Sequence, residues 1–242
     1  MYDYNRGCCD NICYSGVADI FRLPKFSLSF FRTQIAEGSM LPSGKMPYEV
    51  FIPAYRDEIL SDTVMVYGNV DEVELVLNGK TIRRQTADKG PDSDYIPVPN
   101  GGNGKNLHFP PFTFYGVPKE RGVLKAVGYH QGKKVAEYTV KTPGVPERLD
   151  ITYFESGKPA TKNDLLIVYV RMLDKQGVLC PVNGIPVELS VQGGEIVGPT
   201  SYPLEAGVAS FLVRTGEISK INIRATSKEF SIYKKIKIKN SL

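Results

Sequence analysis

The sequence has no tryptophan, two histidines (His108 and His130) and four cysteines in 242 residues. Without tryptophan, any surface that holds a ring-shaped ligand by stacking must use the 14 Tyr and 11 Phe. Cys8, Cys9, Cys13 and Cys180 are too few and too unevenly spaced for a disulfide framework. Free or buried thiols are expected, with a local Cys8–Cys13 or Cys9–Cys13 bridge as the alternative. No metal site is expected, because both histidines are remote in sequence from the cysteine group. Neither histidine has a Ser or Cys nearby in a nucleophile setting, so a triad is unsupported. No apolar run approaches the roughly 20 residues needed to cross a bilayer, so no membrane span is expected. Met1 to Arg6 lacks the apolar core of a signal peptide; if the parent protein is exported, its signal is expected outside this sequence.

What is present is strand patterning. Val73, Leu75 and Leu77 alternate with Glu72 and Glu74, the period of a strand with one face in a core, and Asn78-Gly79 supplies the positive φ angles of a two-residue hairpin turn. Further strands are predicted at 48–53, 63–67, 80–85, 122–130 and 133–141, the last two joined about Gln131-Gly132. Phe109-Pro110-Pro111-Phe112-Thr113-Phe114 reads as an edge or crossing segment with its rings turned inward, since tandem prolines are excluded from a central strand. Residues 86–107 read as a long polar surface loop. Its Gly-rich run lacks the strand-to-helix setting and the closing Lys-Ser/Thr of a phosphate loop, so neither a cofactor nor a nucleic-acid partner is expected.

Thr142-Pro143-Gly144-Val145-Pro146 reads as a stiff connector. Beyond it, strands are predicted at 149–153, 165–173, 185–191, 209–214, 221–225 and 231–239, an immunoglobulin-like number for so short a stretch. In the last of these Lys235, Lys237 and Lys239 share a parity; a guarded edge or solvated face explains such a row more simply than an anionic partner does. Ahead of the strands, Pro24 is placed to open a helix running to about Ile35, with Phe26, Phe30 and Phe31 at helical spacing and Gly38 beyond its end. So wide an aromatic face needs a partner surface. The expected architecture is mainly β: residues 1–37 with one helix, a β-sandwich over 38–143, and an immunoglobulin-like β-sandwich over 144–242.

Several blocks carry a resemblance. Met1-Tyr2-Asp3-Tyr4-Asn5-Arg6-Gly7, Ser15-Gly16-Val17-Ala18-Asp19 through Leu23-Pro24-Lys25-Phe26, and Phe30-Phe31-Arg32-Thr33-Gln34 resemble the end of the catalytic (β/α)8 barrel of family 2 glycoside hydrolases. Residues 70–80, 110–114 and 122–129 resemble the β-sandwich that follows that barrel in bacterial β-galactosidase-like members. Residues 149–151 and 164–170 are similar to a further immunoglobulin-like domain that some of them carry.

The resemblance implies that the first residues are the remnant of a barrel end. Retaining glycosidases need two carboxyl groups about 5 Å apart, and in this family both stand on earlier barrel strands whose motifs this sequence does not contain. A barrel cannot close from one strand end and one helix. The expectation is therefore a C-terminal accessory region with no catalytic residues of its own. Its partner would be the N-terminal catalytic barrel of the same enzyme, with an oligosaccharide as a second candidate partner. In the intact enzyme Asp3, Tyr4, Asn5 and Arg6 would lie at the barrel mouth and contact substrate, while Phe26, Phe30 and Phe31 would pack on the barrel. The family's habit of degrading polysaccharides implies a periplasmic or extracellular parent.

Two other readings compete: a carbohydrate-binding module, and an adhesion or spacer protein of immunoglobulin-like domains. Tyr115, Tyr129 and Tyr138 are the candidate stacking platform for the former, although strand spacing suits half-buried core rings better. Asp57/Glu58 and Asp71/Glu72 point to opposite faces as strand neighbours and read as solvated charge.

Overall fold

A computed structural model describes residues 2–5, 12–55, 61–88, 107–154 and 159–239. The chain forms two compact units, Met1–Thr142 and Pro143–Leu242. Cys8, Cys9, Arg6, the Asp57/Glu58 pair and most of the expected 86–107 loop lie outside the described residues.

The first unit begins with a short ribbon, β1 (Tyr4–Asn5) against β2 (Ile12–Cys13), followed by helix α1 (Phe26–Thr33) and a second ribbon, β3 (Met40–Leu41) with β4 (Gly44–Lys45). A three-stranded sheet follows, in the order β5 (Val50–Phe51), β6 (Val64–Gly68), β9 (Phe112–Phe114). The four-stranded sheet comprises β7 (Glu72–Leu77), β8 (Lys80–Thr86), β10 (Val123–His130) and β11 (Lys133–Lys141), in the order β11-β10-β7-β8. Both hairpins form at the turns read from sequence, with φ of 51° and 80° at Asn78-Gly79 and 49° and 75° at Gln131-Gly132. Val66, Val73, Leu75, Phe112, Phe114, Leu124 and Ala126 are fully buried between these sheets. The segment after the tandem prolines is an edge strand with both rings inward, as its chemistry requires.

Helix α1 starts two residues later than Pro24 suggests. Pro24 bridges to Ala18 and the Lys25 amide donates to the Val17 carbonyl at 3.0 Å, so both are held in extended backbone by a neighbouring segment. The helix ends at Thr33, whose hydroxyl turns back to the Phe30 carbonyl at 2.7 Å, and Gly38 takes the left-handed conformation downstream.

In the second unit, β12 (Arg148–Tyr153), β13 (Leu165–Leu173), β17 (Val208–Thr215) and β15 (Gly194–Ile196) form one antiparallel sheet. Strands β16 (Ser201–Pro203), β14 (Pro186–Gln192), β18 (Lys220–Ser227) and β19 (Phe230–Lys237) form the other. Consecutive strands β13 and β14 sit in different sheets, as in immunoglobulin-like sandwiches. The two strands of this unit missed by sequence, β15 and β16, lie in the Gly- and Pro-rich stretch 193–203 and are only three residues each, too short for an alternation to register. The core is mostly aliphatic, with Ile151, Val168, Val170, Val187, Val213, Ile221 and Ile223 fully buried around Phe211 and Met172.

Candidate functional site

The residues expected to matter most sit in the strand–loop–helix element at 2–35. Asp3 is buried, 5% exposed. Its Oδ1 accepts the Gly16 amide at 2.8 Å and the Lys25 ammonium at 2.7 Å, and its own amide donates to the Ala18 carbonyl at 2.9 Å. Lys25 also donates to the Tyr14 carbonyl at 2.9 Å. Gly16 is required here by space: a Cβ would lie 2.3 Å from the Asp3 nitrogen. Asp3, Gly16 and Lys25 thus tie three stretches of chain into one knot, in which a buried charge is tolerated because it is paired and hydrogen-bonded.

Tyr4 is half exposed at the surface beside the knot, and its hydrogen bond with Cys13 holds its phenol above the usual range. Asn5 lies on β1, in register with Ile12, and Arg6 lies outside the described residues. Asp19, across from the knot, has its carboxyl raised chiefly by burial, offset in part by the amides of Leu23 and Phe21.

The helix is bound to the first sandwich by polar ties that sequence reasoning missed. Asn69, 3% exposed, accepts the Glu49 amide at 2.6 Å and donates to the carbonyls of Ile35 and Pro47, each at 3.0 Å. The Gln34 amide exchanges two hydrogen bonds with the backbone of Phe109, at 3.0 and 3.1 Å, as a strand rung would. Arg32 pairs with Glu49. Asn69 follows a glycine at a strand end, a setting whose only sequence signal is the one shared by every turn asparagine.

Phe26 packs on Phe51 and Tyr55, with ring centroids 5.6 and 4.9 Å away, and Phe30 on Tyr67 at 4.9 Å. Phe31 is 56% exposed. Tyr138 meets Phe51 edge-on at 5.2 Å, and burial pushes its phenol up. Tyr129 donates to Glu74 at 2.7 Å and lies under the Arg84 guanidinium at 3.7 Å, and Tyr115 lies just after β9, 37% exposed. Tyr129 and Tyr138 are therefore engaged in separate contacts rather than sharing one stacking platform. Asp71 accepts from His130 at 3.1 Å and from the Gln131 amide at 2.8 Å, capping the second hairpin, and Glu72 pairs with Arg84. Cys180 is a buried free thiol, and Cys13 lies 3.3 Å from the Ser15 hydroxyl. Among the described residues no group of His, Cys, Asp and Glu could hold a metal ion, and no helix is long and apolar enough to cross a membrane.

Fold and knot together define the class: two successive β-sandwich units preceded in the chain by a strand–loop–helix element. A domain of unknown function, DUF4982, matches residues 61–136. A β-galactosidase of Thermoanaerobacter pseudethanolicus is 32% identical over 93% of this chain and 31% of its own length. A β-galactosidase of Rhizobium radiobacter is 30% identical, matching 51% of this chain and 89% of that one. A β-glucuronidase of glycoside hydrolase family 2 superposes on 99% of this chain with a TM-score of 0.78 at 21% identity, using 24% of its own length. The chain belongs to glycoside hydrolase family 2 and is β-galactosidase-like. It spans about a third of the length of the Thermoanaerobacter relative and corresponds to part of such an enzyme; the matched domain is a C-terminal domain of the family.

Proposed function

We propose that this chain is a non-catalytic accessory region of a β-galactosidase-like glycoside hydrolase, completing and supporting a catalytic barrel encoded outside this sequence. The observation that carries the reading is the surface of the 2–35 element. Phe26 and Phe30 are committed to the first sandwich, whereas Tyr2, Tyr4, Tyr14, Ile20 and Phe31 remain largely exposed. That density of large apolar groups on one short element suits a surface covered by further protein. The relatives supply the length for it, since most of each full-sized one lies outside the match.

On this reading Asp3 acts by fixing the strand end through Gly16 and Lys25. Tyr4, Asn5 and Arg6 carry whatever substrate contact this element makes in the intact enzyme. Phe31 is the residue of the aromatic face that meets the barrel. The ties from Asn69, Gln34 and Arg32 weigh against a dispensable leader on a spacer protein. The parent enzyme would work in the periplasm or outside the cell. The purified chain should release no nitrophenol from an aryl β-galactoside; turnover that co-purifies with it through successive ion-exchange and size-exclusion steps would refute the reading.

A further inference from the structure

We infer that the outer face of the β16-β14-β18-β19 sheet is a binding surface for an acidic polysaccharide. Strand β18 alternates without a break, burying Ile221, Ile223 and Ala225 and exposing Lys220, Asn222 and Arg224. The antiparallel register sets Lys220 opposite Lys237, Asn222 between Gln192 and Lys235, and Arg224 between Ser190 and Tyr233. Lys239 continues the exposed parity of Lys235 and Lys237 in an isolated bridge to Thr161.

The guarded-edge explanation covers only part of this. Lys234 fits it: it shares the inward parity of Ile232 and Ile236 yet is exposed on the edge strand, the usual block to strand addition. Arg224 stands where β18 is paired on both sides, with Ser190 of β14 and Tyr233 of β19, so no edge needs it there. Lys220 directly across from Lys237 is a like-charge rung, which costs stability. Among the described residues none of Lys220, Arg224, Lys235 or Lys237 makes an ion pair; the face's carboxylate, Glu188, lies in the rung beyond Arg224.

The chemistry of the face selects the partner. Cations recur about 7 Å apart along β19, and Lys220 of β18 stands about 5 Å across from Lys237, a row suited to an extended anionic chain. Interleaved with them, Asn222, Gln192, Ser190 and Ser231 offer neutral donors and acceptors of the kind sugar hydroxyls use. Tyr233 is 68% exposed, with the Arg224 guanidinium 5.2 Å from its ring centre, and offers the apolar face on which a pyranose stacks. Base readout in a duplex needs an element inserted into a groove and a single strand needs a row of stacking rings, whereas this sheet face has one ring. The choice of a glycan over other polyanions rests on the proposed role in a glycoside hydrolase.

The test titrates the full 242-residue chain with polygalacturonate oligosaccharides and, in parallel, neutral galactan oligosaccharides, duplex DNA and phosphatidylglycerol vesicles, at low and high salt. Saturable binding of the acidic oligosaccharide is expected, weakening with salt. The variant K220Q/K235Q/K237Q should bind it about tenfold more weakly, because exposed charge contacts each contribute up to severalfold. Y233A should bind severalfold more weakly with the same salt dependence. All substitutions are at exposed positions, and unchanged thermal unfolding serves as the fold control. Absence of saturable binding, binding unaffected by the variants, or equal or tighter binding of DNA or vesicles overturns the inference. Hydrolysis of an aryl β-galactoside would overturn the accessory role without altering these titrations, so the two failures are distinguishable.

Discussion

Replacing Asn69 with alanine tests how the helix is held to the first sandwich. The side chain satisfies three backbone groups from two separate stretches, the Glu49 amide and the carbonyls of Pro47 and Ile35, and is nearly inaccessible to water. Removing it strands one donor and two acceptors. A buried polar group left unpaired costs about 1–3 kcal/mol. Ile35 and Pro47 themselves are partly or fully exposed, so their carbonyls recover some hydration and the lower half of that range applies to each. With the two carbonyls at about 1–2 kcal/mol each and the Glu49 amide at about 1–3 kcal/mol, the sum is a loss of about 3–7 kcal/mol from the first unit. Urea unfolding followed by near-ultraviolet circular dichroism, which reads the tyrosines, should show a lowered midpoint. Protection of the amides of residues 26–34 against hydrogen exchange should fall, while residues 148–237 keep theirs. Asn69→Asp is the discriminating variant: it keeps an acceptor for the Glu49 amide but turns a carboxylate on two carbonyls, so it should be at least as damaging as alanine. A loss below about 0.5 kcal/mol in both variants would mean that Asn69 is not the staple described here.

Two further outcomes follow from the geometry. Gly16→Ala places a methyl group against the Asp3 backbone and should open the knot, exposing the 2–25 segment to limited proteolysis while the β11-β10-β7-β8 sheet stays protected; resistance equal to the parent chain would refute the close approach. In the second unit Asp174 is buried, which by itself raises its carboxyl pKa, but amides of Gly144, Val178, Gln176 and Gly177 together hold it below the ordinary carboxylate value. A carboxyl lower in the folded than in the unfolded state adds stability above its unfolded pKa and loses it as pH falls through the folded one. Unfolding of the second unit should therefore ease as pH drops below about 4, and Asp174→Asn should flatten that dependence; an unchanged acid slope in the variant would exclude Asp174 as its source.

The sequence alone determined the β-class, both hairpins of the first unit and most strands of the second. These rest on local chemistry: an alternation in Val73, Leu75 and Leu77, the positive φ that Asn78-Gly79 accepts, the exclusion of Pro110-Pro111 from a central strand. The same local signals failed where elements were short, as at Gly194–Ile196, or where a neighbouring segment overrode them, as at Pro24, which Ala18 captures in a bridge. Which groups meet across long separations was decided only by tertiary structure. A carboxylate at position 3 reads equally well as a ligand for sugar or as a buried tie, until folding brings Gly16 and Lys25 to it and withdraws it from water. Asn69 looks like any turn asparagine until three backbone groups converge on it. The lysines of the last strand likewise read as an edge guard until antiparallel register sets Lys220 and Arg224 of the neighbouring strand on the same face. Periodicity tells which side of its own element a residue takes, whereas pairing between elements depends on the register and packing that only the folded chain supplies.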